Sequence, residues 1–492
     1  MTSLFLAVAC LPLQAPTVDA IARAVELNKL IGLREDIVIE GKSRAYAVDG
    51  TYLLRIGPGG KFLLDMRSAL GRKIGFDGRR VWEADRTGAT RVLSFGEADT
   101  QLVQGALITN SWLKKGAGDV NLDADGKTLN VKLKGSEIEQ AVQIGANAMP
   151  KLMTYTGAAG KVEVDLDNWS TTPAGKLPLK LTWKEGGVEQ TLDGTTVRAE
   201  PTKPSAFEMP QWTAKDTIFD KAKSESVETK RLPSGHIIVK PLINGKDVGW
   251  FIFDSGADGM CIDTGAANEL GLMQIGEVPA VGIGGVVKTP FRSVKEFTLG
   301  PTTIKNLMFV QLDLADISKV IKLKLGGIVG YEVFRRSVVE MDVLKPLVSL
   351  YDPAAYRTPQ KWTPIRFDGG NFAVEALFEG GRKGWFRFDT GAAGTVAFHG
   401  PFVEKLKLLE GREVQKTMEG GVGGMREARR GKIAYFELAG HRFENPIANF
   451  SISKDGAFHN HWLVGNIGQV FMEPFVLVFD YPNSRMALVP RK

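Results

Sequence analysis

The sequence predicts a mainly β protein, with a separate β-meander domain and one packed helix ahead of two duplicated β-lobes that form a bilobal, closed-barrel-like unit. Short alternating apolar runs separated by turn signals fill residues 37–198 and predict the meander. A stretch rich in Pro, Lys, Ser, Thr and Glu follows at 199–233 and separates the two parts. Beyond it, a segment around Asp254 recurs 135 residues later around Asp389, which indicates that one unit has been duplicated.

The composition is that of a folded chain with ordinary surface charge. Its 492 residues are 43% hydrophobic and 24% charged, which is enough for about two to four packed domains. The net charge of +6 comes from residues spread along the chain, so no nucleic-acid partner is expected. Only Cys10 and Cys261 are present, and among five histidines one pair, His459 and His461, lies close together in a loop-like stretch. We therefore expect no disulfide framework, no metal site and no cofactor.

Residues 1–20 are predicted to be a signal peptide. Residues 4–13 are almost wholly apolar and small residues follow, although the usual positive n-region is missing. The pattern favours an exported protein, periplasmic or secreted, over a buried N-terminal segment, which is the alternative. Lipid attachment at Cys10, and with it envelope association, is a further alternative. No later stretch reaches the roughly 20 apolar residues that span a bilayer.

Residues 21–200 are predicted to form the N-terminal β-rich domain. One helix-like interruption at 97–112 places Leu102, Ala106 and Ile108 on one side, facing the concave side of the sheet. The order of strands and helix resembles the lipoprotein-carrier fold of bacterial envelopes. That resemblance is carried by the pattern and by the Phe-Asp-Gly-Arg-Arg-Val-Trp run that precedes the helix.

Three further boundaries follow from the composition and the repeat. We expect a linker at 201–233, a first lobe at 234–355 and a second lobe at 356–492. Residues 249–257 match residues 384–392 at nearly every position. Four features then recur in the same order in both copies. A single triplet could recur by chance, but this shared order indicates a duplication. They are the strands at 237–243 and 372–378, the helix-like pieces ending at 272 and 408, the glycine hairpins at 282–285 and 421–424, and the apolar strands after 327–330 and 465–468.

Paired carboxyl groups suggest one kind of chemistry. Two carboxyls that hold a water between them can hydrolyse a peptide bond, because one accepts a proton from the water while the other donates a proton to the carbonyl oxygen. Carboxyls about 3 Å apart cannot both ionise, so they share a proton and titrate as a pair. Asp254 and Asp389 are candidates because the duplication supplies one from each copy. Ser255 and Thr390 carry hydroxyls that can brace the opposite loop.

These motifs resemble those of the retropepsin-like and pepsin-like aspartic proteases over residues 236–490. The resemblance implies an aspartic endopeptidase, a hydrolase that binds an extended polypeptide substrate in a cleft under two flaps. It also implies a monomer with an internal pseudo-two-fold axis. The catalytic residues would be Asp254 and Asp389, supported by the loop residues Ser255, Gly256, Thr390 and Gly391. The flap residues would be Gly282, Ile283, Gly284, Gly285, Gly421, Val422, Gly423 and Gly424.

Several alternatives stay open. A third triplet begins at Asp263 and is interpreted as the N-cap of a short helix. The counterpart of residues 328–330 is either 466–468, which contains a polar Asn466, or 463–465. The protease-like half is alternatively an inactive peptide-binding or lipid-binding module of an envelope protein, and the lobes alternatively pair between two chains.

Overall fold

The computed structural model describes residues 17–491, apart from 124–125, 146, 158–159, 283–284, 359, 393, 422–423 and 455. The described chain is mainly β, which confirms the fold class at that level. Residues 1–16 of the predicted signal peptide lie outside the described residues. Thr17 caps the first helix through its side chain, and Ile21 on that helix is fully buried. Within the described residues, no helix combines the length and the apolar character needed to cross a bilayer.

The N-terminal part is one antiparallel sheet of thirteen strands with three helices. Strands that are consecutive in sequence pair with each other from β1 to β6 and from β7 to β13, and β1 pairs with β13 to join the two runs. The helices are α1 Val18–Ala24, α2 Leu27–Ile31 and α3 Phe95–Ile108. The strands are β1 Asp36–Ala45, β2 Val48–Ile56, β3 Phe62–Arg67, β4 Lys73–Phe76, β5 Val81–Ala84, β6 Thr90–Val92, β7 Gly118–Leu122, β8 Thr128–Leu133, β9 Glu139–Ile144, β10 Pro150–Gly157, β11 Gly160–Thr172, β12 Gly175–Glu185 and β13 Val188–Glu200.

Helix α3 buries only part of the face that its sequence predicts, because Ile108 lies in the core and Ala106 packs against it, whereas Leu102 does not. Val103 and Leu107, four residues apart, are buried in the core of the sheet, whereas Leu102 is 36% exposed. Gly105 decides the orientation, because a Cβ atom there would lie 2.3 Å from the ring of Phe62. The helix therefore turns its glycine toward β3, and Leu102 rotates away from the sheet.

The connection at 201–233 packs against both parts of the molecule. Phe207 is buried, and its carbonyl accepts a hydrogen bond of 2.7 Å from the indole nitrogen of Trp82. Two short strands, β14 Thr217–Phe219 and β15 Thr229–Arg231, join the second sheet by pairing with β23 and β16, whose bounds are given next.

The second sheet has eleven strands and three short helices. Its strand order is β15-β16-β19-β24-β20-β23-β22-β17-β18, with β14 and β21 added on β23 and β22. The helices are α4 Thr264–Glu269, α5 Ala315–Ile321 and α6 Tyr331–Phe334. The remaining strands are β16 Ile237–Val239, β17 Leu242–Ile243, β18 Lys246–Asp247, β19 Trp250–Phe253, β20 Met260–Asp263, β21 Gln274–Gly282, β22 Gly285–Leu299, β23 Thr302–Leu312 and β24 Leu325–Val329.

The third sheet has fourteen strands. The strands are β25 Val338–Asp342, β26 Leu347–Tyr351, β27 Thr363–Asp368, β28 Asn371–Phe378, β29 Arg382–Phe388, β30 Val396–Phe398, β31 Gln415–Gly421, β32 Gly424–Lys432, β33 Tyr435–Leu438, β34 His441–Glu444, β35 Ile447–Ser451, β36 Gly465–Ile467, β37 Phe475–Asp480 and β38 Arg485–Pro490. One short helix, α7 Gly400–Lys405, lies between β30 and β31 in the chain.

Strands from both predicted lobes share one part of the third sheet. β25 pairs antiparallel with β37, and β26 and β38 flank that pair in the order β26-β25-β37-β38. β25 and β26 lie in the first predicted lobe, whereas β37 and β38 lie in the second. A single core of buried apolar side chains continues from the second sheet into the third, so the two parts pack as one body.

The N-terminal sheet contacts the rest of the molecule on both sides of this shared core. Arg335 forms an ion pair of 3.0 Å with Asp85. Arg91 donates a hydrogen bond of 2.7 Å to the carbonyl oxygen of Gly369. The rings of Phe95 and Trp385 pack edge to face with centroids 5.6 Å apart.

Candidate active site

Two loops that carry the Asp-Ser/Thr-Gly triplets follow matching pairs of parallel strands. β19 pairs with β24, and the amide of Asp254 donates to the carbonyl of Val329 at 2.9 Å. β29 pairs with β36 in the same way, and the amide of Asp389 donates to the carbonyl of Ile467 at 3.0 Å. Residues 466–468 are therefore the counterpart of 328–330, rather than 463–465. Each aspartate emerges at the end of a buried strand that fixes its backbone.

The hydroxyls of Ser255 and Thr390 lock the two loops together. The amide of Ser255 donates to Thr390 Oγ1 at 2.9 Å, and the amide of Thr390 donates to Ser255 Oγ at 3.1 Å. Each hydroxyl also donates across the interface, Ser255 to the carbonyl of Phe388 at 2.8 Å and Thr390 to the carbonyl of Phe253 at 3.1 Å. Both side chains are buried and each hydroxyl both accepts and donates, so the junction is rigid and fully hydrogen-bonded.

These reciprocal hydrogen bonds between the Ser255 and Thr390 loops, the interlock, bring the two carboxyl groups close together. Asp254 Oδ1 accepts from the amide of Gly256 at 2.6 Å and from the amide of Gly391 on the opposite loop at 3.1 Å. Asp389 Oδ1 accepts from Gly391 at 2.8 Å. A Cβ atom on either glycine would lie 2.4 Å from the opposite carboxyl, so only glycine permits this approach. The remaining oxygen of Asp389 accepts a hydrogen bond of 2.8 Å from the side-chain nitrogen of Asn466.

The surroundings of Asp254 favour the protonated form of its carboxyl. Burial raises the pKa of its carboxyl well above the ordinary value, and the negative charge of Asp389 raises this pKa further. The amides of Gly256 and Gly391 oppose the shift because they stabilise the charged form. As whole residues, Asp254 and Asp389 are half-buried. A protonated carboxyl beside a second carboxyl can donate one proton while its partner accepts another.

Other groups around the pair are polar but do not reach the carboxyl oxygens. The ring Nε2 of His236 lies 2.8 Å from the carbonyl oxygen of Gly391, and burial lowers the pKa of this histidine. The side-chain nitrogen of Gln469 donates to the carbonyl of Thr390 at 2.6 Å. The Tyr481 ring is buried beneath the site, and burial raises the pKa of its hydroxyl well above the ordinary value.

Sequence reasoning missed three of these residues, His236, Asn466 and Gln469. A signal existed only for Asn466, because it stands where the first copy has an apolar residue. His236 and Gln469 act through contacts with backbone carbonyls, which no local pattern reveals.

The predicted flap residues are only partly described. Gly282 pairs with Gly285 at the end of the β21–β22 hairpin, and Gly421 pairs with Gly424 at the end of β31–β32. The four residues between them lie outside the described residues. They are Ile283, Gly284, Val422 and Gly423.

The third triplet has the helix-capping role predicted for it. One carboxyl oxygen of Asp263 accepts from the amides of Gly265 at 2.8 Å and Ala266 at 3.2 Å, at the start of α4. The other accepts from the amide of Leu314 at 3.1 Å. Backbone amides thus satisfy both oxygens of the Asp263 carboxyl, which makes no hydrogen bond with Asp254 or Asp389 among the described residues.

Comparisons with known proteins find one matching family model. A family model described as aspartyl protease matches residues 239–333, which include the first triplet and the β21–β22 hairpin. A search of curated proteins finds no match. The crystal structure of a LolA superfamily protein from Nitrosomonas europaea aligns at 12% identity, over 39% of this chain and 97% of that chain, with a TM-score of 0.29. Residues 239–333 of this chain are thus similar to aspartyl proteases.

Proposed function

We propose that the protein is an aspartic endopeptidase in which Asp254 and Asp389 share a proton and activate a water molecule. One observation carries the proposal. Reciprocal hydrogen bonds between Ser255 and Thr390 hold the two carboxyls where Gly391 donates to both. An arrangement that only stabilised a turn would not need two carboxyls on one amide, since like charges at close range cost free energy unless a proton is shared.

The chemistry follows from the proton on Asp254. In the proposed reaction Asp389 accepts a proton from the water, whose oxygen attacks the carbonyl carbon of the substrate. Asp254 donates its proton to the carbonyl oxygen, and a tetrahedral diol forms. Asp389 then passes the proton that it accepted to the amide nitrogen, Asp254 takes a proton back from one hydroxyl of the diol, and the C–N bond breaks to release a carboxylic acid and an amine. The rigid interlock favours this step because the two groups need no rearrangement.

We propose that the two halves are copies of one unit within a monomer. The order of pairing supports this, because β19-β24-β20 and β29-β36-β30 each combine one parallel pair with one antiparallel pair. An extended polypeptide would lie between the carboxyls and the β21–β22 and β31–β32 hairpins, and bind through strand-like hydrogen bonds.

The test is hydrolysis of an unfolded protein substrate between about pH 3 and 7. Asp254→Asn and Asp389→Asn are each expected to lose at least about a thousandfold in kcat, because an aspartate opposite an asparagine cannot share a proton with it. Asp263→Asn is the matched control, since it makes the same change in the third triplet, where asparagine keeps the helix cap and loses only the hydrogen bond from the amide of Leu314. Equal loss in all three variants, or activity in either catalytic variant, would contradict the proposal.

A further inference from the structure

The two halves carry opposite chemistry beside the carboxyl pair. On each side, one residue from each of five neighbouring strands forms a row across the sheet, because directly paired residues project from the same face. The first row starts two residues before Asp254, and on that strand alternation places both side chains on one face. Its register runs Ile252, Ile328, Cys261, Val310 and Phe291.

The second row starts two residues before Asp389 and occupies the matching strands. Its members are also directly paired from strand to strand. The four strand pairs are parallel, antiparallel, parallel and antiparallel in turn. Every member of the first row is apolar, whereas four of the five members here are polar and both ends are arginine. The row runs Arg387, Asn466, Ala397, Asn449 and Arg430.

Both rows lie against the carboxyl pair. In the first row, burial raises the pKa of the Cys261 thiol to about 12, and the charge of nearby Asp254 contributes to the increase. In the second row, Asn466 donates directly to Asp389. A substrate side chain that flanks a bond held at the carboxyls would therefore meet one row on each side.

The hairpin above each row repeats the contrast. Ala280 of β21 packs on the same apolar cluster as Ile252 and Val310. At the equivalent position of β31 stands Glu419, which is hydrogen-bonded to Asn449 and close to Arg430. The difference therefore extends from the sheet to the hairpin that covers it.

The second row has unused hydrogen-bonding capacity. The Nε of Arg387 and the side-chain oxygen of Asn466 are buried and have no hydrogen-bond partner among the described residues. Arg387 makes one ion pair, with Asp368, and its 3.8 Å separation is too long for a hydrogen bond. A buried guanidinium with an open donor is costly unless a ligand satisfies it.

The groups around Arg387 leave its positive charge available in mild acid. Burial raises the pKa of Asp368 to about 6, so at pH 5 this carboxyl is largely protonated, and burial also raises the pKa of Asp258. Burial lowers the pKa of His399 to about 3, which keeps this ring neutral. Glu97, a further carboxylate near these groups, is ion-paired with Arg91 of its own domain, and Asp389 follows Arg387 by two residues on the same strand end.

We infer that the second row binds a carboxylate side chain of the substrate, while the first row binds a large apolar side chain on the other side of the scissile bond. Guanidinium groups bind carboxylates through strong, directional hydrogen bonds, and Arg387 is the row member next to the catalytic strand end. This inference rests on the proposed function and specifies its substrate class as acidic, apolar-flanked peptide bonds.

The experiment compares matched peptides that differ only at the two central residues, assayed at pH 5. The central pairs are Leu-Glu, Leu-Gln and Leu-Leu, and each mixed pair is also made in reverse order. For the preferred order, kcat/KM for the Glu peptide is expected to exceed that for the isosteric Gln peptide by about 10- to 100-fold, as for a hydrogen bond to a charged group.

Two variants test the assignment to Arg387. Arg387→Gln is expected to remove the preference for Glu over Gln. Arg387→Ile, which copies Ile252 of the first row, is expected to make Leu-Leu the best substrate of the set. Arg382→Ile is the matched control, because this exposed arginine lies on the same strand but on its opposite face, and the preference should persist. Thermal unfolding of each variant shows that it is folded.

The outcomes separate this inference from the proposed function. Cleavage of Leu-Leu with no preference for Glu, or a preference that survives in both Arg387 variants, overturns the acidic subsite and leaves the endopeptidase proposal standing. Failure of the parent protein to cleave any of these peptides and an unfolded protein overturns the endopeptidase proposal itself.

Discussion

The two triplet loops share a backbone but differ in the side chains that surround them. Asp254 and Asp389 both follow parallel strands, both accept a hydrogen bond from the glycine of their own triplet, and both are fixed through a buried hydroxyl. Asp389 alone receives a side-chain donor, from Asn466, whose counterpart in the first half is Ile328. The two loops therefore match in their backbone hydrogen bonds but differ in the side-chain donors that reach their carboxyls.

Among changes that leave both carboxyls in place, the largest expected effect comes from preventing the close approach of the two loops. Gly256→Ala and Gly391→Ala each place a methyl group 2.4 Å from the opposite carboxyl, so the loops must separate. We expect at least about a hundredfold loss of kcat in each, because small displacements of reacting groups cost that much. Peptide hydrolysis measures the loss. A variant that keeps more than a tenth of the activity would show that the loops tolerate separation.

Removing the hydroxyl of Ser255 or that of Thr390 is expected to lower the free energy of unfolding by a similar amount. Ser255→Ala and Thr390→Ala each leave a buried amide and a buried carbonyl without a partner, at a cost of about 1–3 kcal/mol in the free energy of unfolding for each orphaned group. Urea unfolding measures the change. The double variant should lose less than the sum of the two, because both hydroxyls belong to one network. Additive losses would mean that the two loops are held independently.

The pH dependence follows from the raised pKa of Asp254. The folded state binds this proton more tightly than the unfolded chain, so its contribution to stability is present at low pH and is lost as pH rises through the folded pKa. Activity should peak in mildly acidic conditions and fall when the shared proton is lost. The pH–rate profile and unfolding free energies at several pH values check both effects. A peak below pH 3 would contradict the prediction.

The smallest expected effect comes from a substitution that makes the two halves alike at one position. Asn466→Leu removes the donor to Asp389 and gives the second half an apolar residue, as at Ile328 in the first. Because the donor stabilises the ionised carboxyl, the apparent pKa of the acidic limb of the pH–rate profile should move upward, by up to about one unit. Asn449→Leu, which changes the same row without touching Asp254 or Asp389, is the control. An unchanged limb in Asn466→Leu would mean that the donor does not determine the asymmetry.

Much of the site was accessible from local patterns. The β class, the recurrence of the triplet and the pairing of hydroxyl with glycine all follow from sequence, because strand alternation and turn residues are local properties. The capping role of Asp263 was accessible for the same reason. The exposure of Leu102 on α3 was not, since it depends on Gly105 facing the ring of Phe62. The pairing of β25 with β37 also joins segments that no local pattern relates.

The sequence by itself determined the elements and the two candidate carboxyls, because these depend on residue type and short-range spacing. Only the tertiary structure decided that Gly391 donates to both carboxyls, that Asn466 reaches only one of them, and that Ile252 and Arg387 begin rows of opposite character. Those features depend on registers between strands that are distant in sequence. Such registers are set by the packing of the whole core, so no single segment contains them.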